Sequence, residues 1–96
     1  MITAIVLIQC ATDSIPEVAK QLADLPGVSE VYSTAGSNVD LVAMVRVREF
    51  DQIADVIADR ISKTAGVVDT ETHIAFRAYS RHDLDEAFSI GFEDAD

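Results

Sequence analysis

Ninety-six residues suffice for one domain and not for two, and a 49% apolar fraction without low-complexity tracts excludes a disordered chain. Acidic residues outnumber basic ones 17 to 7, giving a net charge of -10 with no basic run. That excludes direct binding of nucleic acid by this chain alone, because phosphates are held mainly by Lys and Arg, and it argues equally against an anionic membrane surface. The lone cysteine, Cys10, cannot form an internal disulfide, and its apolar surroundings point to a buried, inert thiol.

Ile2 to Ala11 is rich in Ile, Val and Leu and reads as a first strand. It lacks a basic leader and is too short to cross a bilayer, so the expectation is a soluble, cytoplasmic protein. Ser14-Ile15-Pro16-Glu17 has the form of a capping box. Ile15, Val18, Ala19, Leu22 and Ala23 follow at helical spacing, and Pro26-Gly27 ends the helix. Val28 to Ala35 is a second strand, Gly36-Ser37-Asn38 a turn, and Val39 to Val47 a third strand. Phe50, Ile53, Ala54, Ile57 and Ile61 mark a second amphipathic helix, with Gly66 at its C-cap. Val67 to Arg77 is a fourth strand, with Val68, Thr70, Thr72, Ile74 and Phe76 on one face. Leu84, Ala87 and Phe88 suggest a short terminal helix capped by Ser80, before an acidic tail.

The order is β-α-β-β-α-β, an α+β ferredoxin-like sandwich: a four-stranded antiparallel sheet with both helices on one face. Residues 1–90 are expected to form the domain and residues 91–96 the tail. Pro26-Gly27-Val28-Ser29-Glu30 is echoed by Ala65-Gly66-Val67-Val68-Asp69, which hints at two related halves.

Two strands are apolar on both faces. The first places Ile2, Ala4, Val6 and Ile8 on one side and Ile5 and Leu7 on the other; the third places Leu41, Ala43, Val45 and Val47 against Val42 and Met44. The topology makes these two central. Two helices cover only one face of the sheet, so the other exposes an apolar patch of a kind soluble monomers rarely tolerate. A two-fold copy of the chain is the expected cover; the alternative is that Leu84 to Phe92 folds back over it.

The stretch Leu25-Pro26-Gly27-Val28-Ser29-Glu30-Val31-Tyr32, the segment Gly36 to Asp40 leading into Leu41-Val42-Ala43, and Gly66-Val67 running into Thr70-Glu71-Thr72-His73-Ile74 together resemble the effector-binding domain of the leucine-responsive/AsnC family of transcriptional regulators. That domain is also called the RAM domain (regulation of amino-acid metabolism). The likeness covers roughly residues 1 to 90 and implies a stand-alone version without the family's helix-turn-helix domain. It implies a sheet-to-sheet dimer, a dimeric α/β barrel, often assembled into a tetramer of dimers. It also implies an amino acid or similar effector bound between subunits, and association with full-length regulators of the family. The family's effector loop commonly reads Gly-x-Tyr/Trp-Asp; here Gly36-Ser37-Asn38-Val39-Asp40 lacks the aromatic and is one residue longer. Thr70 and Thr72 match the threonine-rich stretch that flanks the relatives' pocket.

The expected ligand-binding residues are therefore Gly36, Ser37, Asn38, Asp40, Thr70 and Thr72. Gly36 would allow close backbone approach, turn N–H groups would cradle a carboxylate, and Asp40 would pair with an α-ammonium. The plain alternative is a hairpin turn of ordinary turn residues. No catalytic residue, metal or cofactor is expected. Glu71 and His73 share a face but are too few for zinc. Asp51, Asp55 and Asp59 form a solvated acidic stripe, and a nucleophile–base pair or Gly-rich phosphate loop is not visible. Two alternatives stand beside the sensor: a small ferredoxin-like enzyme of monooxygenase or isomerase type, using His73 with Tyr32 or Tyr79, and a purely structural interaction module.

Overall fold

The computed structural model describes residues 1–36, 38–77 and 79. The expected helix near Leu84–Phe88, its Ser80 cap and the boundary at residue 90 lie outside them. In chain order the elements are β1 (Ile2–Cys10), α1 (Ile15–Ala23), β2 (Val28–Ser33), β3 (Leu41–Val47), α2 (Phe50–Ala54) continuing as a π-helical segment (Asp55–Ile61), and β4 (Val67–Ala75). The sheet is antiparallel in the order β2-β3-β1-β4, so the doubly apolar strands are the central ones.

Alternation fixes which side faces the helices. Ala4, Val6, Ile8 and Cys10 of β1 and Leu41, Ala43, Val45 and Val47 of β3 are buried, packed with Val18 and Leu22 of α1 and with Ile53, Val56 and Ile61. The core is wholly apolar among the described residues, with no buried polar or charged side chain. Any chemistry must therefore sit at the surface.

The two halves are related in structure as the sequence echo suggests. Gly27 and Gly66 both sit at positive φ, 92° and 95°, just before an outer strand. Each carbonyl accepts from the neighbouring central strand: Gly27 O from Arg46 N, and Gly66 O from Ala11 N, both at 2.9 Å. Each glycine also faces the helix of the other half. A Cβ at Gly27 would lie 2.7 Å from Val56 Cγ2, and one at Gly66 2.6 Å from Val18 Cγ2. Only glycine satisfies both the dihedral and the contact.

Two expectations are corrected. Ser14 precedes α1 but makes no side-chain cap; its hydroxyl donates to Asp13 instead, at 3.3 Å. The capping box forms at α2, where Gln52 Oε1 accepts the Glu49 N–H at 2.9 Å and the Arg48 N–H at 3.1 Å. The second helix does not keep the 3.6-residue period either. Its second part is π-helical, with Ser62 N donating to Ile57 O at 2.9 Å. The widened turn brings Val56 and Ile61, five apart, into the core, while Phe50 is 60% exposed and Ala54 is exposed.

Candidate functional site

The face of the sheet away from the helices carries Thr3, Ile5, Leu7 and Gln9 of β1 and Val42, Met44 and Arg46 of β3. The register adds Glu30 and Tyr32 of β2 opposite Met44 and Val42, and Asp69, Glu71 and His73 of β4 opposite Gln9, Leu7 and Ile5. Ile5, Leu7, Val42 and Met44 are only half-buried. Charged side chains rim this apolar centre along both outer strands.

An ion pair and a histidine–carboxylate contact stand on the rim. Arg46 Nη1 donates to Glu30 Oε1 at 2.8 Å and to Ser29 Oγ at 2.7 Å, and Tyr32 Oη donates to the same Glu30 carboxylate. The Tyr32 hydrogen bond, followed by Arg46, holds the Glu30 carboxyl below the usual carboxylate range; the same carboxylate pushes the Tyr32 phenol up. On the far strand, His73 Nε2 lies 3.2 Å from Glu71 Oε2, with both side chains more than half exposed.

A cleft of about 360 Å³ opens on this face where β1 ends and β4 begins. It is lined by Leu7, Gln9, Asn38, Val39, Asp69, Thr70 and Glu71. Leu7 and Val39 give it an apolar wall. The carboxylates of Asp69 and Glu71 make it acidic, and one Asp69 oxygen, Oδ1, accepts the Thr70 N–H at 2.9 Å. The amides of Asn38 and Gln9 supply donors as well as acceptors.

The loop between β2 and β3 is held from both sides. Thr34 donates its N–H to Asp40 O at 3.0 Å and its hydroxyl to Val39 O at 2.9 Å. Asp40 N donates to Ile8 O at 2.9 Å, and Asp40 Oδ2 accepts the Cys10 N–H at 2.8 Å. The Asp40 carboxylate thus takes the place of a strand carbonyl and prolongs the β1–β3 ladder past Leu41. Burial, and secondarily the nearby Asp40 charge, pushes the Cys10 thiol up, so it is a protonated, buried thiol.

Of the residues expected from the sequence, Asn38 and Thr70 line the cleft. Asp40 stands beside it with one carboxylate oxygen engaged by β1. Gly36 has no positive φ, and a Cβ there would meet only Val39 O, at 3.8 Å. Thr72 stands opposite Val6, in register with the helix-covered side of the sheet. Ser37 lies outside the described residues. The lining residues not expected from the sequence to bind a ligand are Leu7, Gln9, Val39, Asp69 and Glu71. Period-two alternation marks four of them: Leu7 and Gln9 fall on the open side of β1, as Asp69 and Glu71 do on β4. No group of three metal-ligating side chains occurs among the described residues, and no helix there is long and apolar enough to cross a membrane.

The profile of the Lrp/AsnC ligand binding domain matches residues 3–84. The chain is 39% identical over 80 residues to the HTH-type transcriptional regulator LysM of Saccharolobus solfataricus, a match spanning 81% of this chain and 54% of LysM. Among solved structures, TTHA0845 from Thermus thermophilus is 44% identical with a TM-score of 0.77, over 84% of this chain and 100% of that one. The siroheme decarboxylase NirDL shares the fold alone, at 24% identity and a TM-score of 0.69, over 80% of this chain and 26% of its own. The chain spans about half the length of the curated transcriptional regulators it matches, 51% and 54% for two of them.

Proposed function

The chain belongs to the Lrp/AsnC ligand-binding domain family, and from that premise we propose that it is a homo-oligomeric regulatory module that binds an amino acid or related metabolite in the cleft at the end of β1 and the start of β4. The observation that carries this reading is the open sheet face, where an apolar centre of Ile5, Leu7, Val42 and Met44 meets an acidic cleft at one end. A second copy packed on that face removes the apolar centre from water and leaves a charged rim, the arrangement of a protein interface.

The cleft suits an amino acid. Asp69 and Glu71 accept from its α-ammonium in charge-assisted bonds. The side-chain amides of Asn38 and Gln9 donate to its carboxylate. Leu7 and Val39 meet an apolar side chain. Asp40 contributes by fixing the loop that carries Asn38 and Val39, with its free carboxylate oxygen available to a ligand. Binding at an edge of the paired face would couple ligand to assembly, and full-length family regulators with the same domain are the natural partners. The matched curated relatives are transcriptional regulators, which favours binding over catalysis; the NirDL likeness is one of fold and assigns no chemistry.

Thermal melting of the full chain against each of the twenty amino acids tests the reading. A ligand that binds only the folded form at a hundred times its Kd adds about 2.7 kcal/mol of stability, a shift easily resolved. The expected result is one amino acid, or a chemically related few, raising the Tm. A flat response to all twenty contradicts the proposal.

A further inference from the structure

The cover that the helices give the sheet stops at β1. On their side of β1, Ala4, Val6 and Ile8 are fully buried, while α1 packs on β2 and β3 and α2 on β3. The β4 residues in register with those three are Ile74, Thr72 and Thr70. Thr70 is half-buried, but Thr72 is exposed and Ile74 is 39% exposed. Alternation carries the same side back to Val68, which is 65% exposed. Among the described residues, Val67 is the β4 side chain packed against the core. From Val68 to Ile74 the helix side of β4 is therefore a bare strip about 20 Å long. It lies on the opposite side of the strand from the face that a second copy would cover.

The two sides of β4 differ in charge. Asp69, Glu71 and His73 stand on the open side, opposite Gln9, Leu7 and Ile5. Val68, Thr70, Thr72 and Ile74 put no charge on the helix side. Residues 76–96 follow directly on this strand. There Leu84, Ala87 and Phe88 have the spacing of one helical face, with Asp83, Asp85 and Glu86 between them. A helix over residues 83–90 would be about 12 Å long and fit within the strip. Residues 76–82 supply ample chain to reverse direction. An acidic segment with one apolar stripe favours the uncharged side of β4, because on the open side its carboxylates would meet those of Asp69 and Glu71.

We propose that the C-terminal segment of the same chain docks on this strip, setting Leu84, Ala87 and Phe88 against Val68, Thr72 and Ile74. The occupant is the chain's own segment because a tether of a few residues holds it at an effective concentration of about millimolar, which a separate partner does not reach. Docking there completes the helix-side layer over β4 and leaves the open face to a second copy. It involves neither the paired face nor the amino-acid cleft's carboxylates, so it stands or falls independently of both.

A double-mutant cycle and photocrosslinking of the full chain test it. Ile74→Ala and Phe88→Ala are each expected to lower the Tm by about 4–8 °C. The double substitution should fall only about as far as the larger single loss, because either change removes the same contact. Ile5→Ala, on the open side, should add in full to Phe88→Ala. Circular dichroism verifies that each variant is folded. On irradiation, a chain with benzoylphenylalanine in place of Phe88 should form an adduct to residues 68–74 of the same chain. An unaltered Tm in Phe88→Ala, additive losses for Ile74 and Phe88, or coupling of Phe88 to Ile5 overturns the proposal. So does an adduct that joins two chains, or none at all.

Discussion

Replacing Asp40 separates a structural carboxylate from a ligand-binding one. Its Oδ2 accepts the Cys10 N–H at 2.8 Å in a partly buried position, where β1 leaves its last pairing with β3. Asp40→Ala strands that donor. Leaving a buried N–H unsatisfied costs about 1–3 kcal/mol, and partial access of water places the expected loss in the lower half of that range, about 1.5 kcal/mol. For a domain of this size that lowers the Tm by about 6–12 °C. Asp40→Asn keeps a carbonyl acceptor and should cost under about 1 kcal/mol. Urea and thermal unfolding followed by circular dichroism measure both. If Asp40→Ala melts within about 2 °C of the parent, or Asp40→Asn falls as far as Asp40→Ala, the ladder-extending role is wrong. Amino-acid binding by the folded Asp40→Asn variant then tells whether the free oxygen also meets the ligand. Retention assigns Asp40 to the scaffold alone, and loss assigns it to both.

Other consequences follow from the same geometry. Gly66→Ala combines an unfavourable positive φ with a Cβ 2.6 Å from Val18 Cγ2 and should cost about 2–4 kcal/mol, whereas Gly36→Ala, with open space and no positive φ, should change stability by under about 0.5 kcal/mol; chemical denaturation compares them. The raised Cys10 thiol pKa gives a pH signature. The unfolded chain ionises this thiol above about pH 8.5 while the folded chain keeps it protonated, so its contribution is complete below that pH and is lost as pH rises toward the folded pKa. Cys10→Ala should therefore show a shallower alkaline loss of stability than the parent in unfolding titrations; identical slopes would contradict the assignment.

Most of the fold was legible in the sequence, because burial on two faces leaves a plain signature. Ile5 and Leu7 among Ile2–Ile8, and Val42 and Met44 among Leu41–Val47, identify the central strands by alternation alone, and the order β2-β3-β1-β4 places them there. The echo between Pro26-Gly27 and Ala65-Gly66 marks equivalent strand entries, each with its glycine against the opposite helix. The second helix was less legible. Reading it at 3.6 residues per turn selects Phe50, Ile53, Ala54, Ile57 and Ile61; Ile53 and Ile61 are buried as expected, but the π-helical turn adds Val56 to the core and leaves Phe50 and Ala54 exposed, and nothing in local propensity announces that change of period. The capping box shows the same limit: Ser14-x-x-Glu17 has the spacing, yet it is Gln52 that turns back to cap a helix start.

The site was legible only in part. Loop chemistry pointed to Asn38, and Thr70 lines the same cleft. Resemblance also drew in Thr72, which like Thr70 stands in register with the helix-covered side, opposite Val6 where Thr70 is opposite Ile8, but is not among the cleft's lining residues. Asp69 was not singled out, and Glu71 was weighed only with His73, because acidic residues abound in this chain; only pairing with Gln9 and Leu7 shows which of them meet at one end of the open face.

Sedimentation velocity at low micromolar concentration bears most directly on the paired-sheet account. We expect a particle at least twice the 10.4 kDa chain, and dissociation to a folded single chain when Leu7, at the centre of the open face, is replaced by Asp. A well-folded parent that sediments as one 10.4 kDa chain would show that this face meets water unaided, and would contradict the account.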